Sequence, residues 1–258
     1  MGEESQIAYF RVVAIHELPL QRTPVDDEFI EIFMSWKLLP WIQASMSFHM
    51  ALDEVLFRER EEAENTPPIL RFYFADQPSV TIGYSRPLPL PVGEGRGEGL
   101  PVVRRLTGGG RVEHGQDLIF SLIAHKRDDE SFHSVRVSYW KIHEALKKGF
   151  ETLGLKPRFY RCDEDLPEGP ECFRYPISSD LALGKHKIAG GSQKRSAGAL
   201  LHQESVVVPA GLDGFKLAEA FRAGFEAVFN TRLEAEPLQP VWFEKAKVLA
   251  EKKYQVLL

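Results

Sequence analysis

The chain has 258 residues, 43% hydrophobic and 27% charged, with a formal net charge of −5. That composition excludes a disordered or collagen-like chain, and the acidic balance offers nucleic acid no bulk attraction. Two cysteines, Cys162 and Cys172, an acidic N-terminus without a signal pattern and the lack of a long apolar run predict a soluble cytoplasmic protein with free thiols. Neither a membrane nor a nucleic-acid partner is expected.

The opening "IAYFRVVAI" (7–15) reads as a strand. Residues 26–39 read as a helix, with Asp26 as N-cap and Pro40 as its stop. A stronger helix runs from about Ser45 to Glu64, where Met46, Met50, Leu52, Val55 and Leu56 keep a helical apolar stripe. "ILRFYFA" (69–75) and "SVTIGYS" (79–85) are strand-like, and a Pro/Gly-rich loop fills 86–101. "DLIFSLIAH" (117–125) is a strand. Residues 134–154 form an amphipathic helix with Val135, Ile142, Leu146, Phe150 and Leu153 on one side. Residues 157–180 look irregular. Two short strands flank Gly184, "ALLHQESVVV" (199–208) is another strand, and helices close the chain near 213–228 and 240–254. The elements do not alternate strictly, so the fold class is α+β, with one mixed central sheet flanked by helices.

Chemistry concentrates in three places. The stretch "RRLTGGGRVEH" (104–114) sets Gly108, Gly109 and Gly110 among Arg104, Arg105 and Arg111. Glycines lose much backbone entropy on folding. They fit either a hairpin turn or a backbone that a ligand must approach closely, with N–H groups aimed at a phosphate or carbonyl. No Gly-Lys-Ser/Thr follows, so this is not a phosphate-binding P-loop, and the spacing is wrong for a dinucleotide fingerprint. His114, just beyond, is either a structural hydrogen-bonder or a catalyst. The second place is "GKHKIAGG" (184–191). Its Ile188, Ala189, Gly190 and Gly191 are poor surface filler and suit a narrow slot, beside which Lys187 presents an ammonium to a carbonyl or phosphate. Third, Cys162 is followed by three acids, which disfavour its thiolate. Cys172 is followed by Phe173 and Arg174, and a thiol needs a cation or base nearby to react. Either thiol also reads as a small buried apolar residue.

Taken together, "FHMALDE" (48–54), "SVTIGYS", "RRLTGGGRVEHGQDLIFS", "DLALGKHKIAGGSQKRSAGALLHQES" and "LAEKKYQ" (249–255) resemble the lipoate–protein ligase and octanoyltransferase family, from about Trp41 onward. The resemblance implies a fold like the biotin–lipoate ligases and class II aminoacyl-tRNA synthetases, with residues 1–40 as an N-terminal extension and 41–258 as the catalytic domain. It implies transfer of an acyl group to a lysine of a lipoyl domain, such as the glycine cleavage H protein or a 2-oxoacid dehydrogenase E2. Gly108–Gly110 would lie along the acyl chain, and Arg104 or Arg105 would hold its activated end. Lys187 would bind the acyl carbonyl. His114, Gly190 and Gly191 complete the substrate-binding set, and no metal is implied.

"CFRYP" from Cys172, set ahead of Lys187, is similar to the branch that carries octanoate from acyl carrier protein as a cysteine thioester, without ATP or another cofactor. Basic strips at 104–111 and 185–195 would steer acidic carriers. The family's ligase branch would instead use ATP and Mg, and many ligases carry a further C-terminal domain, which is not expected here. Transfer between lipoyl domains, or a degenerate carrier-binding module, are the other readings. The sequence departs from the family pattern at Glu204, where glycine is frequent, and at Arg86, where glutamine is.

Overall fold

A computed structural model describes residues 35–42, 44–63, 65–86, 99–160 and 178–255. The strand expected over 7–15, the N-cap Asp26, most of the loop at 86–101 and both cysteines lie outside the described residues.

The main sheet has six strands: β1 (Ser35–Leu38), β2 (Ile69–Tyr73), β6 (Asp117–His125), β10 (Ala189–Ser196), β11 (Ala199–Val207) and β12 (Arg232–Ala235). Their spatial order is β10-β11-β6-β2-β1-β12. The sheet is mixed: β10, β11, β6 and β2 pair antiparallel, whereas β2, β1 and β12 pair parallel. The helix expected over 26–39 is corrected at its end. Ser35–Leu38 is a strand between β2 and β12, and Trp36 enters the core against Phe132, Phe225 and Phe229. Pairing on both sides outweighs a local helical pattern.

Four α-helices among the described residues cover the two faces of the sheet. The helices α2 (Val135–Thr152) and α3 (Gly214–Phe229) pack Ile142, Leu146, Phe150, Phe221 and Phe225 against Leu70, Phe72, Phe120 and Leu122. On the opposite face α1 (Met46–Glu62) and α4 (Pro240–Lys252) pack Leu52, Leu56, Trp242 and Ala246 against Tyr73, Ile119, Ile123 and Leu201. Coverage of both faces is why "DLIFSLIAH" is apolar almost throughout. Ser45 and Ser134 cap α1 and α2 by accepting from Phe48 N and Val137 N. Val135 was expected in the α2 stripe but is exposed in the first turn; Ile142, Leu146 and Phe150 are buried as expected. No helix among the described residues is long and apolar enough to cross a membrane.

Two small sheets build the site. One is β4 (Val102–Arg104), β3 (Ser79–Ile82) and β5 (Arg111–His114), with β3 in the middle. The other is β7 (Arg158–Phe159), β8 (Leu181–Leu183) and β9 (His186–Lys187); β7 adds a short strand to a stretch expected to be irregular. As the sequence suggested, β8 and β9 flank Gly184, which adopts φ +62°.

Candidate active site

The glycine loop is not a hairpin turn. It joins β4 to β5, which pair with opposite edges of β3, parallel and antiparallel. The loop therefore crosses the end of β3 and lies against the chain just beyond it. Gly83 N donates to Gly110 O and Tyr84 N to Thr107 O, at 3.2 and 2.8 Å. A Cβ on Gly83 would meet Gly109 O at 2.1 Å, so this contact requires glycine on the strand side too. Gly109 itself has φ +90°, a conformation that L side chains rarely adopt.

The arginines here are largely loop construction. Arg104 Nη1 donates to the carbonyls of Gly83, Tyr84 and Arg86. Buried Arg105 donates twice to Gly108 O, at 3.1 and 2.6 Å, and once to Thr81 Oγ1. Arg111 pairs with Glu113. Arg105 is buried, and Arg104 and Arg111 are half-buried. Arg104 and Arg105 satisfy carbonyls that the folded loop would otherwise leave unpaired, and Arg111 pairs with an exposed carboxylate.

His114 sits between Asp117 and Thr81. Its Nδ1 lies 2.7 Å from Asp117 Oδ2 and its Nε2 lies 2.8 Å from Thr81 Oγ1. Burial pushes the Asp117 carboxyl up, but the hydrogen bond and charge of His114, with Ser205, outweigh it and hold the group below the usual carboxylate range. Asp117 on one side and Thr81 on the other fix the orientation of the ring.

A cavity of about 680 Å³ gathers these elements. Its wall includes Met50, Tyr73, Ile119 and Gln203 from the α1 face of the sheet, and Tyr139 and Glu204 from the α2 face. The two sides meet at β10, an edge strand, where Gly190 and Gly191 carry no side chains. Arg105, Gly109, Gly110, His114, Lys187, Gly190 and Gly191 all line this space, whereas Arg104 and Gly108 do not. Cys172 lies outside the described residues, in the sequence just before the wall residues Ser178–Asp180.

Lys187 is turned inward, unlike exposed Lys185 and His186, and its ammonium donates to Asp180 Oδ2 at 2.7 Å. Both side chains are nearly buried, at 7% and 4% exposure. A lysine held this way presents its charge in one place, as stabilising a developing oxyanion requires. Asp180 was not singled out in the sequence. Its signal was available: an acid at the start of β8, brought opposite β9 by a short hairpin around a glycine.

Nor did the sequence show what Glu204 does. It is fully buried, and its Oε2 lies 2.7 Å from His202 Nε2 and 3.1 Å from His143 Nε2. His143 Nδ1 also reaches Ser179 O. The three side chains bring metal-ligand atoms within 4.8 Å of one another. Their hydrogen bonds describe a different object. Gln193 Oε1 accepts from Arg195 Nε, so the Gln193 amide nitrogen faces His202 Nδ1, which must accept. His202 Nε2 then carries the proton and donates to Glu204.

Burial opposes the charge of Glu204, but the charge and hydrogen bond of His143, with the hydrogen bond from His202, prevail and hold it near a pKa of about 2. Burial likewise opposes protonation of His143, and Glu204 overcomes it and raises that group; in His202 burial dominates and lowers it. Gly191 is explained by the same cluster. A Cβ there would meet Glu204 Oε2 at 2.0 Å. One of the two slot glycines thus exists to admit a carboxylate.

The depressed Glu204 group contributes stability that is present above its unfolded value of 4.5 and lost as pH falls towards about 2. His202, also depressed, adds in the same sense from its unfolded value of 6.5 downward. Urea unfolding followed from pH 6 to 2 should therefore show stability declining with acid, and Glu204→Gln should flatten the limb below pH 4.5. An unchanged limb would show that Glu204 is not ionised in the native protein.

Comparison with known proteins shows which family this fold and its lysine–glycine cavity belong to. The chain belongs to the Lipoyl protein ligase A/B catalytic domain family, whose profile matches residues 45–228. It is 32% identical to the octanoyltransferase LipM of Bacillus subtilis over 196 residues, covering 72% of this chain and 69% of that one. The octanoyltransferase LipM of Moorella thermoacetica is 30% identical over 199 residues, covering 75% and 72%. Among solved structures, a putative lipoate protein ligase from T. acidophilum with bound lipoic acid aligns at a TM-score of 0.71 and 22% identity, covering 86% of this chain and 96% of that one. A lipoate-protein ligase A bound with ATP aligns at 0.70 and 23%, with the same coverage. These structures share the expected α+β fold.

Proposed function

We propose that the protein is an octanoyltransferase that accepts octanoate from acyl carrier protein onto Cys172 and delivers it to a lysine of a lipoyl domain. The octanoyltransferase reading is supported by relatives of that name at 30–32% identity over most of the chain. The observation that carries the chemistry is the Lys187 ammonium, held by Asp180 in a wall shared with the glycine loop.

In this reading the Cys172 thiolate attacks the carrier thioester. The new sulfur–carbon bond forms, the carrier's sulfur–carbon bond breaks and the carrier leaves as a thiol after taking a proton. The acceptor ammonium gives one proton to solvent and its amine attacks the enzyme thioester; the amide bond forms, the enzyme's sulfur–carbon bond breaks, the nitrogen gives a second proton to solvent and the thiolate of Cys172 is released. Lys187 favours the thiolate form of a nearby thiol and draws the carbonyl oxygen. Gly109, Gly110, Gly190 and Gly191 leave room for an extended acyl chain between the two faces. No ATP enters this route. Ser35–Leu38 pairs within the main sheet, so we place the start of the catalytic unit at β1, ahead of residue 41.

The test is an intact mass after incubation with octanoyl acyl carrier protein and no ATP. One octanoyl adduct, absent in Cys172→Ala, is expected. Lipoyl-domain modification only with ATP and free acid would sink the thioester route in favour of a ligase.

A further inference from the structure

Among the described residues two carboxylates form part of the cavity wall, Asp180 and Glu204. They are not equivalent. Asp180 takes the Lys187 ammonium. Glu204 gives Oε2 to both histidines, while its Oε1 is buried and, among the described residues, accepts no hydrogen bond. A buried carboxylate oxygen without a donor carries a desolvation penalty, and native folds keep few of them. The placement is also built. Gly191 faces Glu204 across the β10–β11 pairing, and only the absence of a side chain there admits the carboxylate to the sheet edge.

The octanoyl transfer proposed above would bring a cation into this cavity. The acceptor lysine is an ammonium in water near neutral pH, and it needs a counter-charge when it enters a buried site. Lys187 stands in the same wall and repels it, as do Arg105 and Arg136. Two ammonium groups must approach one carbonyl, one to polarise it and one to become the nucleophile. Asp180 serves the first.

We propose that Glu204 Oε1 receives the acceptor lysine's ammonium, making Glu204 a positioning residue for the amide-forming half-reaction. The inference rests on the octanoyl transfer proposed above. His143 and His202 hold the carboxylate in place from the other side, and Gln193 and Ser179 orient the two rings.

The experiment separates the half-reactions. Wild-type protein and Glu204→Gln are loaded with octanoyl thioester, and the loading rate is recorded. The acyl-enzymes are then mixed with apo lipoyl domain over a range of concentrations, or with hydroxylamine, a nucleophile that is uncharged near neutral pH. The half-saturating lipoyl-domain concentration should rise about tenfold to a hundredfold in Glu204→Gln, the range for a hydrogen bond to a charged group. Loading and hydroxylamine discharge should change much less.

Equal lipoyl-domain parameters in the two proteins would overturn the proposal. So would parallel losses with hydroxylamine and lysine, which would mark a collapsed wall. Stoichiometric zinc binding, lost in Glu204→Gln while lipoyl transfer is unchanged, would assign the cluster to a metal and overturn it as well. A wild-type protein that never loads would fail at the first step, and would sink the thioester route together with this inference.

Discussion

Replacing Lys187 by Met should slow acyl-enzyme formation by about 10²–10³-fold, the loss seen when one preorganised donor is removed from a developing oxyanion. Met keeps an unbranched, flexible stem and removes the charge. Rapid-quench mass spectrometry of the octanoyl adduct would read the rate directly. Lys187→Arg should not rescue it, because a planar guanidinium is larger than the ammonium that Asp180 holds at 2.7 Å. The substitution also disturbs a nearly buried ion pair, so thermal unfolding must be measured beside the rate. Adding Asp180→Asn should recover stability without recovering rate. A Lys187→Met rate within tenfold of wild type would remove the lysine from the chemistry.

The largest stability effect should come from beneath the site. Asp53, on α1, is fully buried and accepts from Arg71, Ser121 and Gln203. Arg71, equally buried, also reaches His49 O and Nδ1 and lies over the Tyr73 ring. Asp53→Ala leaves a buried guanidinium without its carboxylate and should destabilise the protein by about 3–5 kcal/mol, read by urea unfolding. Replacing both partners with apolar residues, Asp53→Leu with Arg71→Met, should recover most of that loss, because no buried charge is stranded.

Activity should not return with stability. Asp53 anchors Gln203, which accepts from Thr107 of the glycine loop, and Thr107 accepts from Ser192 of β10. The pair thus ties both walls of the cavity to the core. An Asp53→Ala loss below 1 kcal/mol would show that Arg71 finds compensation elsewhere.

Where local pattern and tertiary environment agree, the elements are legible in the chain. The α1 stripe, the β6 strand and the closing helices keep the residues expected of them. Ser35–Leu38 misled because a short amphipathic stretch suits either period, and only its two parallel neighbours select the strand. The candidate site was legible as motifs but not as contacts. Lys187, His114 and the glycines at 109, 110, 190 and 191 do share one cavity. Arg104 carries the same motif signal, yet it braces the loop from outside that cavity.

The sequence by itself determined the fold class, the family and the lysine–glycine pairing, because these rest on periodicity and on motifs contiguous in the chain. The tertiary structure decided what each charge is for. Asp180 reaches Lys187 through a β-hairpin. His143 on α2 meets Glu204 on β11 across 61 positions of sequence, and Gly191 is small because that carboxylate occupies its side-chain space. Such assignments depend on which side chains the packing brings within hydrogen-bond distance, and contacts between elements far apart in the chain leave no local pattern to read.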